Sequence, residues 1–107
     1  MAREFSQRVY ELALSIPAGQ VTTYGAIAKA AGGGAMAARS ISSILSKAPN
    51  LNVIPWHRIV YAGGRVWMSP ESEAKRKKLY KREGIKLNTN GYIQDFDEVF
   101  YDPTDLL

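Results

Sequence analysis

Cysteine is absent from this 107-residue chain. That excludes disulfides, a thiolate nucleophile, zinc–thiolate sites and iron–sulfur clusters together, and it fits a reducing compartment. Histidine occurs once, as His57, so there is no second imidazole to complete a metal site. No apolar run approaches the length of a membrane span, and the opening MAREFSQRVYE is charged and amphipathic, unlike a secretory signal. Repeats, low-complexity tracts and linkers are missing as well. What is left is one intracellular domain without metal or cofactor, whose 46% hydrophobic content suits a modest core.

Base is also lacking from one stretch. All fourteen Lys and Arg fall in residues 1–90, against five acids, a formal charge of +9; residues 91–107 hold five acids and no base, a charge of −5. A basic body beside an acidic C-terminal stretch points to an anionic partner for the body, with solvation of the surface as the plainer alternative. The sequence divides accordingly into a domain over residues 1–90 and an acidic tail over 91–107, of which residues 95–107 are expected to be irregular or loosely packed.

Apolar spacing supplies the helices. Phe5, Val9, Leu12 and Ile16 mark one face of a helix over about 3–15, ended by Pro17 and Gly19. Thr22 or Thr23 caps a short helix through Ala30 or Ala31 with Ile27 as its anchor. After the glycines at 32–34, a second helix over about 35–47 turns Ala38, Ile41, Ile44 and Leu45 inward. The pair forms a helix-turn-helix pattern, which packed helical hairpins also share. RIVYAGGRVW (58–67) reads as two short strands around Ala62-Gly63-Gly64, a hairpin or wing. Ser69-Pro70-Glu71 starts a helix that runs to Glu83 and stops at Gly84, and NTNGYIQ carries an Asn-Gly turn signal. The fold class is therefore mainly α with a short β-hairpin, a single winged helix-turn-helix-like domain.

Within this frame a few side chains carry chemistry. Arg39 projects from the second helix after a run of small residues that would let backbone approach a groove, although an exposed helix arginine is the commoner case. Tyr24 precedes it as a possible aromatic partner or a core residue, and Lys29 and Lys47 are candidate phosphate contacts. An aromatic, a projecting cation and flanking lysines suit a site that handles a nucleotide base. In Ile54-Pro55-Trp56-His57-Arg58, His57 has no thiol or second imidazole to work with, and no serine is patterned with it and a carboxylate. Nucleophilic catalysis is not indicated by these residues, and a core tryptophan is the plainer account of Trp56.

IPAGQVTTYGAIAKAAG, AARSI, IPWHRIV and KLYKREG, in this order and at these spacings, together resemble the DNA-binding domain of the O6-alkylguanine-DNA alkyltransferases. That family carries Pro-Cys-His-Arg where this chain has Pro55-Trp56-His57-Arg58, and the tryptophan in a domain of this size resembles the alkyltransferase-like members. The resemblance covers about residues 4–84. It implies a monomeric, non-enzymatic protein that binds duplex DNA containing O6-alkylguanine through the minor groove and flips the lesion into a pocket. It further implies that the complex marks the lesion for nucleotide excision repair proteins and associates with DNA in a nucleoid or nucleus, not a membrane. Tyr24, Arg39, Trp56, Trp67 and Met68 are the implied DNA and lesion contacts. Thr23, Lys29, Ser40 and Lys47 are the phosphate contacts, and His57, Arg58 and Glu83 remain as a structural remnant of the relay that activates the family's cysteine. Two departures stand out: Ala48 where the family has asparagine, and Trp67-Met68-Ser69-Pro70 in place of a glycine-rich loop beside the lesion pocket.

Alkyl transfer needs a soft nucleophile in line with the alkyl carbon, which indole cannot supply. Indole can stack on an extruded base, worth about 1–3 kcal/mol, comparable to the cost of unstacking it. A helix-turn-helix regulator without lesion specificity is the alternative, opposed by the scarcity of base-reading side chains in GGGAMAARS. Hydrolysis of the alkyl ether by His57 and Glu83 would require water to attack a poor electrophile.

Overall fold

A computed structural model describes residues 2–33, 37–47, 53–66 and 70–103. The helix spaced by Phe5, Val9, Leu12 and Ile16 is α1 (Ala2–Ser15), and the last three of those side chains are buried. The chain then turns through Pro17, whose carbonyl accepts from the Gln20 N–H at 3.1 Å. It enters a two-residue strand β1 (Thr22–Thr23) that leads directly into α2 (Tyr24–Ala30). Thr23 is extended and its Oγ1 accepts from the Ala26 N–H at 3.0 Å, so of the two candidate caps Thr23 is the one used.

Helix α3 (Ala38–Ser46) buries Ile41 and Leu45, while Ala38 and Ile44 are half-buried at the edge of the same cluster. Its expected start at 35 falls outside the described residues. Close passage of the two helices rests on small side chains. A Cβ at Gly33 would sit 2.6 Å from Ala37 Cβ and 3.1 Å from the Phe5 ring, so only glycine lets the chain double back there.

Ile59–Val60 form β2, which pairs in parallel with β1 in the register Thr22 to Ile59 and Thr23 to Val60. This corrects the hairpin expected over 58–67. Residues 61–65 do make a tight turn, closed by the Tyr61 N–H to the Arg65 carbonyl at 2.8 Å and containing a 310 turn at Ala62–Gly64. Among the described residues its two arms form no ladder with each other. Both residues of β2 are buried, which draws that arm inward against β1, and Arg65 bridges antiparallel to Tyr92 instead. Hairpin pairing appears later, around Asn90-Gly91, where Leu87 bridges Ile93 and the Gln94 N–H donates to the Lys86 carbonyl at 2.8 Å.

Consecutive strand residues face opposite ways, and β2 uses this to separate two cores. Ile59 joins the larger cluster of α1, α2 and α3 with Ile54. Val60 joins a smaller one with Val21, Tyr80, Ile85 and Ile93. Helix α4 (Pro70–Glu83) contributes Tyr80 to the second cluster and leaves most of its lysines and arginines exposed.

The acidic C-terminal stretch packs more closely than its composition suggests. Ile93 and Pro103 are buried, a short helix α5 (Phe96–Val99) follows, and the chain runs on beside Val21. Val21 donates to the Val99 carbonyl at 2.9 Å and accepts from the Tyr101 N–H at 2.7 Å. The loose packing expected from residue 95 onward does not describe residues 95–103: Phe96 and Val99 pack on the second cluster and Pro103 is buried, while the acids face solvent.

Candidate nucleic-acid interface

Residues from three elements meet at an open concavity of about 480 Å³. The first turn of α2 supplies Thr23, Tyr24 and Gly25, the first turns of α3 supply Ala38, Arg39 and Ser42, and the turn after β2 supplies Tyr61 and Ala62. Arg39 and Ser42 share a helix face through their three-residue spacing, and Arg39 is exposed. Tyr24 is half-buried, reaching both the first core cluster and the concavity. Its ring lies 5.3 Å from that of Tyr61 at 43°. Burial raises the Tyr24 phenol above its ordinary pKa, with Tyr61 adding to the rise and the Arg76 cation opposing it.

A second arrangement stands behind the segment Pro55–Arg58. Trp56, His57 and Arg58 form a 310 turn in which His57 is buried. His57 Nε2 lies 2.7 Å from Glu83 Oε2. Arg58 grips the same carboxylate with two donors, Nη2 to Oε2 at 2.7 Å and Nε to Oε1 at 3.1 Å, and its Nη1 donates to the Ile16 carbonyl at 3.0 Å. The Gly19 N–H adds a fourth contact to Oε1 at 3.0 Å. Burial alone would raise the Glu83 pKa, but hydrogen bonds from Arg58, Gly19 and His57 outweigh it and lower the value to about 2. An ionised carboxylate only accepts, so the hydrogen of this contact sits on His57 Nε2. Tyr80 meets the His57 ring edge-on at 5.9 Å. Burial pushes the Tyr80 phenol up to about 12, with Arg76 pulling it partly back.

Of the residues marked from sequence, Thr23, Tyr24 and Arg39 line one concavity, and His57, Arg58 and Glu83 form one hydrogen-bonded group. Trp56 is half-buried against the first cluster and is not part of the concavity wall. Lys29, Ser40 and Lys47 are exposed around α2 and α3 without lining it. Trp67, Met68 and Ala48 lie outside the described residues. Sequence reasoning missed Tyr61 and Ser42. The helical spacing from Arg39 could have indicated Ser42, and an aromatic directly before a glycine turn was a weak sign for Tyr61. Gly19 was marked only as a turn residue, and its contact with Glu83 had no local signal. Among the described residues, no group of three or more His, Asp and Glu is placed to hold a metal ion.

Residues 4–85 match the family described as 6-O-methylguanine DNA methyltransferase, DNA binding domain. The chain belongs to that family. It is 35% identical over 89 residues to a DNA base-flipping protein of Escherichia coli, spanning 83% of this chain and 68% of that one. It is 31% identical over 86 residues to alkyltransferase-like protein 1 of Schizosaccharomyces pombe, covering 78% and 79% of the two chains. The crystal structure of Schizosaccharomyces pombe Atl1 in complex with damaged DNA containing O6-carboxymethylguanine superimposes with a TM-score of 0.72 at 28% identity, across 92% of this chain and 95% of that one. Mycobacterium tuberculosis OGT in complex with DNA gives 0.60 at 31% identity, over 75% and 49%. The mainly helical fold read from the sequence is thus the fold of these DNA-bound relatives.

Proposed function

We propose that this protein is a non-enzymatic sensor of O6-alkylguanine in duplex DNA, which holds the flipped nucleotide and releases it chemically unchanged. The observation that carries the reading is the position of Trp56. It heads a turn whose next two residues are locked to Glu83, and the family resemblance puts its indole where the alkyltransferases carry their cysteine. A chain without cysteine has no thiol to accept the alkyl group.

The relatives' names and their damaged-DNA complex support the lesion as ligand. Approach through the minor groove suits the small Ala37 and Ala38 at the start of α3 and the single projecting Arg39. Arg39 takes the space vacated in the base stack, Tyr24 crowds the phosphate of the flipped nucleotide, and Trp56 stacks on the extruded base. Thr23, Lys29, Ser40 and Lys47 meet phosphates, and Trp67 and Met68 border the lesion pocket. His57, Arg58 and Glu83 hold the turn that presents Trp56. Transfer of the lesion to nucleotide excision repair, and action as a monomer associated with cellular DNA, follow from the family resemblance alone.

The test is a titration of two duplexes that differ only in one O6-methylguanine for guanine, at fixed near-physiological salt, with mass analysis of the recovered DNA. Tighter binding of the modified duplex with the methyl group retained is the expected result. Equal binding of both duplexes would leave a DNA-binding domain or regulator without the lesion task, and loss of the methyl group would make the protein an enzyme.

A further inference from the structure

We infer that the turn after β2 is a second DNA-contacting wall of the concavity, in which Arg65 binds a backbone phosphate and Tyr61 is a positioning residue for both Arg65 and Tyr24. The inference rests on the DNA-binding part of the function proposed above, and not on its lesion preference.

Tyr61 is 40% exposed and stands between two other side chains. On one side is the Tyr24 ring at 5.3 Å. On the other, the Arg65 guanidinium carbon lies 4.6 Å from the Tyr61 ring centroid. A guanidinium stacked on an aromatic face is held in place, while the N–H donors at its edge stay free for a planar anion. Among the described residues no carboxylate pairs with Arg65. It is exposed beside an aromatic that lines the concavity, so the ligand that matches it is the phosphodiester of a strand crossing the rim.

The turn is built to hold this geometry. Tyr61 and Arg65 are joined through the backbone at 2.8 Å, and Gly64 donates to the Tyr61 carbonyl at 3.0 Å. The acidic C-terminal stretch clamps the turn from behind: Ile93 donates to the Gly64 carbonyl at 2.8 Å, Val66 donates to the Gly91 carbonyl at 2.8 Å, and the Phe96 ring closes against Gly64. A donor fixed before binding loses less freedom on meeting its phosphate.

The experiment measures affinity for the lesion duplex and its unmodified twin across a salt series, for wild type, Arg65→Ala, Arg65→Lys, Tyr61→Ala and Tyr61→Phe. Losing one phosphate contact lowers the slope of log affinity on log salt by about 0.9. Arg65→Ala is expected to lose that slope on both duplexes, so its deficit against wild type shrinks about three- to fourfold from about 50 to about 200 mM salt. Arg65→Lys restores the slope. Tyr61→Ala lowers the slope in the same way and also weakens binding of the lesion duplex, while Tyr61→Phe behaves as wild type because the ring does the positioning. An unchanged slope in Arg65→Ala overturns the phosphate contact, and a Tyr61→Ala protein equal to wild type overturns the positioning role. If wild type binds both duplexes equally, lesion sensing fails while the slope comparison still decides Arg65; if it binds neither, both ideas fall.

Discussion

His57 Nε2 lies 2.7 Å from Glu83 Oε2, although the two residues are 26 positions apart, and both side chains are about nine-tenths buried. The carboxylate is fully committed: it also receives the Arg58 fork and the Gly19 amide, which ties the end of α4 to the turn after α1 and to the segment bearing Trp56. Buried charges of this kind cost much desolvation, and removing one partner leaves the others uncompensated. The group therefore acts as a clamp between elements, with a measurable dependence on pH.

Glu83 has a folded-state pKa of about 2, below its ordinary 4.5. Its contribution to stability is fully present above about pH 4.5 and is lost as pH falls toward 2, on the order of 1–2 kcal/mol once solvent screening is discounted. Urea unfolding of wild type between pH 2 and 7 should show this loss. Glu83→Gln should be less stable at pH 7 and show a smaller decline with acid; an equal decline in both proteins would place the dependence elsewhere.

Trp56→Ala and Arg39→Ala should each weaken binding of the O6-methylguanine duplex by about 5- to 150-fold, the equivalent of about 1–3 kcal/mol of stacking. Anisotropy titration measures it, with the unmodified duplex as the control. Arg39→Ala leaves folding intact because the side chain is exposed. A Trp56→Ala protein that binds the lesion as tightly as wild type would remove the indole from the mechanism.

Deleting residues 91–107 removes Ile93, Phe96 and Val99 from the second cluster, and with them the buried Pro103. At about 2–4 kcal/mol for a buried isoleucine alone, the thermal midpoint should fall by at least about 10 °C. Ile93→Ala in the intact chain should reproduce a large part of the fall. An unchanged midpoint after deletion would establish the stretch as a separable tail.

Gly63 and Gly64 differ in what surrounds them. Both have positive φ, 76° and 91°, but a Cβ at Gly63 meets nothing within 4 Å while one at Gly64 lies 2.9 Å from the Phe96 ring. Gly63→Ala should cost about 1 kcal/mol and Gly64→Ala at least about 2, the second adding displacement of the ring to backbone strain. Equal losses by chemical denaturation would mean that Phe96 is not seated there.

Some of this protein is written locally. Residue spacing along α1 and α3 sets which face is buried, Thr23 caps α2 through an oxygen three residues from its donor, and Pro70 and Gly84 bound α4, because these effects act within a turn or two of helix. The chain's lack of cysteine likewise settles on its own that no thiol is present, and the order of the motifs indicates the family. Other features depend on contacts between distant segments. The Ile59–Val60 pair could have returned along its own turn, yet it lies parallel to Thr22–Thr23 because that places Ile59 in one core and Val60 in the other. The acidic composition of residues 91–103 suggests a solvated tail, whereas burial of Ile93 and Pro103 makes that stretch part of the body. Glu83 meets Gly19 across 64 positions, and Tyr24 meets Tyr61 across the concavity. Such pairings belong to the tertiary structure because their energy comes from burying two surfaces at once, and neither segment's local pattern specifies the other surface.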